Sequence, residues 1–224
     1  MENNYFAFPK MEKNAMTTDL FERIFFTDLE RRRLVLNVPI GPIYEVATAD
    51  TVLDVSDIIH HIVEFNRLDD LAEQEAKQNG TIFERQPIRL IVNSPGGSQY
   101  EGFPLVHVIG LSRTKVITIN VGISFSMASY ILIAGHERLL LPGSVVLIHE
   151  GYFESSNSTG KAIDDARFQE EYEESIIKPF ILARTKITPE QYKENYRKEW
   201  YMLPEKALEL GVADSIVTDI SELY

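Results

Sequence analysis

Three short apolar runs rich in β-branched residues, at 34–40, 88–93 and 116–121, alternate along the chain with segments of helical spacing. Runs of this length, bounded by charge or by Gly-Pro, read as buried strands. The segments at 50–66 and at about 100–111 carry apolar residues at helical intervals, and Met127-Ala-Ser-Tyr-Ile-Leu-Ile-Ala-Gly135 reads as a short buried helix with a glycine stop. Further strands are expected at 138–141 and 145–149, split by Pro142-Gly143. Strand, helix, strand in repetition argues for an α/β fold with a mainly parallel sheet. Such sheets carry ligand chemistry at the carboxyl ends of their strands. Ser94-Pro95-Gly96-Gly97, Ser124-Phe125-Ser126-Met127 and His149 all fall at such ends.

The rest of the chain adds helices. A long helical pattern covers about 159–185, and Pro179 should kink or interrupt it. Thr188-Pro189-Glu190 reads as an N-cap, a proline at N1 and an early acid, opening a helix to about 198. A short helix at 204–210 ends at Gly211, and 212–217 closes with a short strand. The polar stretch 69–86 reads as an extended helix end and a loop, with Asn79-Gly80 as turn signal. Residues 1–16 read as a frayed terminus or a segment that orders on a partner, and 18–26 as one or two helical turns. His60 and His61 are adjacent, so on a helix they point about 100° apart and are poorly placed to share a metal.

Composition narrows the chemistry. The chain has no cysteine, which excludes disulfides, thiolate catalysis and zinc–thiolate sites. A formal net charge of −12 disfavours nucleic acid as a partner, because phosphate binding needs clustered Lys and Arg. The one basic run, Arg31-Arg32-Arg33, reads as the solvated edge of a strand. No apolar run approaches the ~18 residues that span a bilayer, so no membrane is expected as a partner. The first residues lack a basic region followed by an apolar core, which makes the cytoplasm the expected compartment.

Ser126 stands where a strand gives way to a helix, at the positive end of the helix dipole and beside free backbone N–H groups. That position suits a helix N-cap. It also suits a nucleophile with its oxyanion. His149 closes an apolar strand just where the chain turns polar; it is either a satisfied histidine near the core or a general base. Gly96-Gly97 lets the backbone approach a ligand closely and offer N–H donors, or forms a plain turn.

Four blocks carry a resemblance. They are Ile91-Val-Asn-Ser-Pro-Gly-Gly97, Gly122-Ile-Ser-Phe-Ser-Met-Ala128, Leu139-Leu-Leu-Pro-Gly-Ser144 with Leu147-Ile-His149, and Glu205-Lys-Ala-Leu-Glu-Leu-Gly-Val-Ala-Asp-Ser-Ile216. In this order the chain resembles the proteolytic subunit of the Clp protease, a serine peptidase of the crotonase-like fold. The resemblance implies repeated β-β-α units with a long protruding handle helix at about 159–185. It places the nucleophile on Ser126, the general base on His149, and the oxyanion donors on the backbone N–H groups of Gly97 and Met127. The family's third triad member, an aspartate, falls on Glu199, a departure that keeps the acceptor but lengthens the arm. Asp164, Asp165 and Glu194 are rival acids.

Other departures are Ser124-Phe125 in place of a small pair, a glycine-poor stretch after His149, and the polar stretch at about 70–86. The first two would alter cleft width and side-chain preference. The resemblance further implies two stacked heptameric rings, a tetradecamer, closed around the active sites. An ATP-dependent AAA+ unfoldase would deliver unfolded polypeptides to it, and no cofactor is needed. The expected organisation is a segment at 1–33 serving as axial gate or docking region, then one peptidase domain at 34–224. Lacking G-x-x-x-x-G-K-[ST], the chain would not supply the ATP chemistry by the usual loop. Alternative readings are a crotonase-type acyl-CoA enzyme, a Ser-Lys peptidase using Lys115 or Lys161, and a catalytically silent ring subunit.

Overall fold

The computed structural model describes residues 28–41, 55–151 and 158–223. The expected segments at 1–16 and 18–26 lie outside the described residues. In chain order the elements are β1 (Arg33–Leu36), α1 (Val55–Asn79), β2 (Ile88–Ser94), α2 (Gln99–Leu111), β3 (Val116–Phe125), α3 (Met127–Ala134), β4 (Glu137–Leu140) and β5 (Val145–Ile148). A helical run follows as α4 (Thr159–Tyr172), a π-turn (Glu173–Ile177) and α5 (Lys178–Arg184). Then come α6 (Pro189–Asn195), β6 (Trp200–Met202), α7 (Pro204–Glu209) and β7 (Ser215–Ile216).

Five of the seven strands of one sheet run in the order β1-β2-β3-β4-β7, parallel as the alternation predicts, with β5 and β6 joined to it off this path. The core lies between this sheet and the helices, with Leu34, Leu90, Ile58, Leu105, Ile109 and Ile131 fully buried. The fold is the α/β architecture expected of a ClpP-type chain. Among the described residues no helix is long and apolar enough to cross a membrane.

β3 runs four residues beyond the expected end at Val121. Its first half pairs with β4 (Ile117–Asn120 with Glu137–Leu140) and its last three residues pair with β5 (Ile123–Phe125 with Val145–Leu147). Asn120, fully buried, stitches the change of partner. Its Nδ2 donates to the Val145 carbonyl at 3.0 Å, and its Oδ1 accepts from the Gly122 N–H at 3.1 Å. Gly122 and Ser124 break the β-branched pattern, which is why the extension is not legible in the sequence. β6 was not expected at all: it is three residues long and pairs antiparallel with β5.

Two other expectations are corrected. The Arg31-Arg32-Arg33 run is not a uniformly solvated edge: Arg32 forks onto the buried Asp69 at 2.6 and 2.7 Å, and Arg33 is half-buried in β1. The helix at 159–185 is not broken at Pro179. Instead the run widens into the π-turn just before it, so that the carbonyls the proline would obstruct and leave unpaired are re-spaced.

Candidate active site

The turn between β2 and α2 is built by Ser94. Its buried hydroxyl donates to the Val38 carbonyl at 2.6 Å and accepts from the Gly96 N–H at 3.2 Å. Gly96 and Gly97 then take φ of +87° and +144°, values that other residues rarely adopt. A Cβ on Gly96 would sit 2.9 Å from the Met127 nitrogen, and one on Gly97 would run into the Ile40 carbonyl. Glycine therefore brings this loop against the start of α3. Ile40 takes up the Gly96 carbonyl and the Ser98 N–H, leaving the Gly97 N–H between them without an acceptor among the described residues. The Met127 N–H, at the first position of α3, is likewise uncommitted among them.

Ser126 occupies the N-cap position of α3 but does not cap it. Its φ of +52° and ψ of −124° lie outside the extended region that caps use, and its hydroxyl makes no capping hydrogen bond. Sharp, strained strand-to-helix turns of this kind expose a serine Oγ. The conformation is held by neighbours: the Ser126 N–H donates to the Leu147 carbonyl at 2.9 Å, and its own carbonyl accepts from the Ser129 N–H and, at 2.6 Å, its Oγ. A strained backbone that frees a hydroxyl from local duty is a marker of function rather than of packing.

His149 follows β5, two residues beyond Leu147. The antiparallel register pairs Val146 with Met202, Leu147 with Tyr201 and Ile148 with Trp200. One more step sets His149 opposite Glu199, and His149 Nδ1 lies 2.9 Å from Glu199 Oε1. With Nδ1–H donating to the carboxylate, Nε2 is left as an acceptor. The side chain of His149 is 25% exposed and that of Glu199 60%.

A second tie holds the two segments together: the Glu150 N–H donates to the Tyr196 carbonyl at 2.6 Å, and Arg197 Nε stands 3.5 Å from Glu150 Oε1. Beneath them Tyr130 is buried, its hydroxyl 3.5 Å from the His149 carbonyl, and the rings of Tyr192 and Tyr196 stack at 4.5 Å. Burial pushes all three phenols well up, so they stay neutral.

Ser126, His149, Gly96 and Gly97 line one cleft of about 800 Å³. Its far wall is a stripe of the long helical run: Ala166, Gln169, Glu170, Glu173 and Ile177. The rival acids stand elsewhere. Asp164 lies 3.7 Å from Arg167 and Glu194 lies 4.0 Å from Lys198, and neither they nor Asp165 line the cleft. Lys115 pairs with Glu137 at 2.6 Å at the opposite end of β3, and Lys161 is not at the cleft. Phe125 does not line the cleft either; it packs edge-on against Tyr201. Most of the glycine-poor stretch after His149 lies outside the described residues. Sequence reasoning placed Ser94 at the site without its turn-building role and missed Asn120 and Tyr130, which read as ordinary members of a strand and a core helix.

The chain is similar to the ATP-dependent Clp protease proteolytic subunit of Deinococcus radiodurans, 27% identical over 139 residues that make up 61% of this chain and 68% of that one. It is 29% identical to proteolytic subunit 2 of Prochlorococcus marinus, over 61% of this chain and 70% of the relative. It is 31% identical to the chloroplastic proteolytic subunit 4 of Arabidopsis thaliana, over 59% of this chain and 46% of the relative. The sequence profile described as Clp protease matches residues 69–219, about two thirds of the chain, from the second half of α1 through β7 and including every described residue that lines the cleft. The chain belongs to the Clp protease family.

Proposed function

We propose that this chain is a serine endopeptidase. The observation that carries the reading is the Ser126 hydroxyl, freed from capping by a left-handed backbone, in the cleft that is also lined by His149, whose Nδ1 is held by Glu199. Ser126 Oγ attacks the scissile carbonyl carbon while its proton passes to His149 Nε2. Charge developing on the carbonyl oxygen is met by the N–H groups of Gly97 and Met127 and by the positive end of α3. The imidazolium, steadied by Glu199, then gives its proton to the leaving amine. Water, deprotonated in turn by His149, releases the acyl group from Ser126. No cofactor enters these steps.

The finer reading follows the family. Copies of the chain stack as heptameric rings into a tetradecamer, with α4 as the handle between rings. That helix has no buried residue, which suits a partner helix. An ATP-dependent AAA+ unfoldase feeds polypeptide into the chamber, with 1–33 as the docking or gating segment and 34–224 as the peptidase domain. The proposed setting is the cytoplasm, although one relative is named as chloroplastic. The Ser126 hydroxyl makes no hydrogen bond to His149 in the single chain, which fits a triad that tightens on assembly or substrate binding.

Fluorophosphonate labelling with peptide mass mapping, run alongside native mass measurement, tests the assignment. The expected result is one adduct on Ser126, absent from Ser126→Ala. A large ring that takes no adduct would leave a silent scaffold, and labelling at another serine would refute the site.

A further inference from the structure

The cleft's charge carries an inference that rests on the peptidase reading and deepens it. Among the described residues its wall contributes three carboxylates, Glu150, Glu170 and Glu173, against one guanidinium, Arg197. Glu150 is already matched, 3.5 Å from Arg197 Nε. Lys178, the nearest cation on the helical run, is taken by Glu174 at 2.7 and 2.9 Å. Glu173 is left, half-buried, with no hydrogen bond or ion pair to a described residue.

Its placement is a product of the helix geometry. Ala166, Gln169, Glu170, Glu173 and Ile177 recur at the helical interval, so one face of the run looks into the cleft, and Glu173 opens the π-turn on that face. π-turns concentrate at functional positions because they re-aim side chains. Burial, reinforced by the nearby Glu150 charge, raises the Glu173 carboxyl above its ordinary range. A carboxylate in that state gains more from an arriving cation than a solvated one does.

We propose that Glu173 makes this cleft selective for polypeptides bearing a cationic side chain, lysine or arginine, beside the scissile bond. The substrate's methylene stem would lie along Ile177, one helical turn from Glu173, and its charged head would reach the Glu173 carboxylate. Glu150 and Glu170 add to the attraction, and Arg197, 3.5 Å from Glu150 and also felt by Glu173, offsets part of it.

Lysine and norleucine differ by little more than the terminal charge, so matched peptides isolate it. Titration calorimetry of the full-length Ser126→Ala chain with product peptides ending in lysine or norleucine should give a lysine preference of about tenfold that shrinks in 0.5 M salt. In Ser126→Ala/Glu173→Gln the ratio should fall to about one, and Glu173→Lys on the same background should favour a peptide ending in glutamate. Equal or tighter binding of norleucine overturns the proposal, as does a lysine preference that survives Glu173→Gln. Hydrolysis of fluorogenic versions by the native chain is measured in parallel. A Glu173-dependent lysine preference in binding without hydrolysis of either peptide removes the peptidase reading and leaves the cleft's selectivity standing.

Discussion

At the scale of single residues, Glu199 stands where the resemblance expects an aspartate, and the β5–β6 register shows how the proposed triad would accommodate the exchange. The antiparallel ladder fixes position 199 opposite 149 whatever acid stands there, and the longer glutamate arm still brings Oε1 to 2.9 Å from Nδ1. In the proposed triad its work would be to hold the Nδ1–H tautomer and to balance the imidazolium, which an amide does not do. Glu199→Gln is expected to lower kcat for a small peptide by about 10²- to 10⁴-fold with KM little changed. Steady-state kinetics checks it, and a rate near that of the native chain would move the role to another acid. Ser126 and His149 were legible in the sequence because each stands at the carboxyl end of an apolar strand. Whether Ser126 caps or attacks was not, because that depends on a backbone angle. Tyr130 was invisible for another reason: inside an apolar helix a tyrosine reads as core, and only the fold brings its hydroxyl to the His149 carbonyl.

At the scale of elements, α1 is anchored by charge as well as by its apolar face. Asp69, fully buried on α1, receives both guanidinium nitrogens of Arg32 and, at 2.6 Å, the Thr114 hydroxyl. Arg32 lies just before β1 and Thr114 just before β3, so one carboxylate ties the helix to the amino-terminal ends of two strands. Burial alone would raise the Asp69 carboxyl, but the hydrogen bonds from Arg32 and Thr114, with the charge of Arg85, hold it below its ordinary value. A carboxyl whose folded pKa is depressed contributes stability above its unfolded pKa of about 3.9 and loses it as pH falls through the folded value. Asp69→Asn, which strands the Arg32 guanidinium, is expected to cost about 3 kcal/mol at pH 7. The gap to the native chain should narrow below pH 4. Urea unfolding at pH 7 and pH 3.5 measures both, and a gap independent of pH would remove the electrostatic account. The strands and most helices were readable from periodicity. This tie was not, because Arg31-Arg32-Arg33 looks the same in sequence whether it is solvated or forked onto a buried acid.

At the scale of the whole molecule, α4 needs an explanation that one chain does not provide. It is 14 residues long with no buried residue, and Ile163 and Phe168 are 47% and 50% exposed. Isolated helices of about this length are marginal in water, and most helical stability in proteins comes from packing an apolar face. Within the chain α4 has modest support on the cleft side, where Gln169 donates to the Tyr100 hydroxyl at 2.8 Å. In the proposed assembly the exposed apolar residues meet the same helix of the opposite ring, and the wall that carries Glu173 is fixed by that contact. Stacking and cleft geometry are then one event. Replacing the exposed residues, Ile163→Glu with Phe168→Glu, should therefore convert a double ring into single rings or smaller species in native mass measurement. Circular dichroism should show the sheet and the remaining helices intact, since neither side chain belongs to the core. Hydrolysis of small peptides should fall together with the loss of stacking, because the wall opposite Ser126 loses its support. A doubly substituted chain that still forms stacked rings would place the ring contact on another surface. One that separates into single rings yet keeps full peptidase activity would break the proposed link between assembly and the cleft.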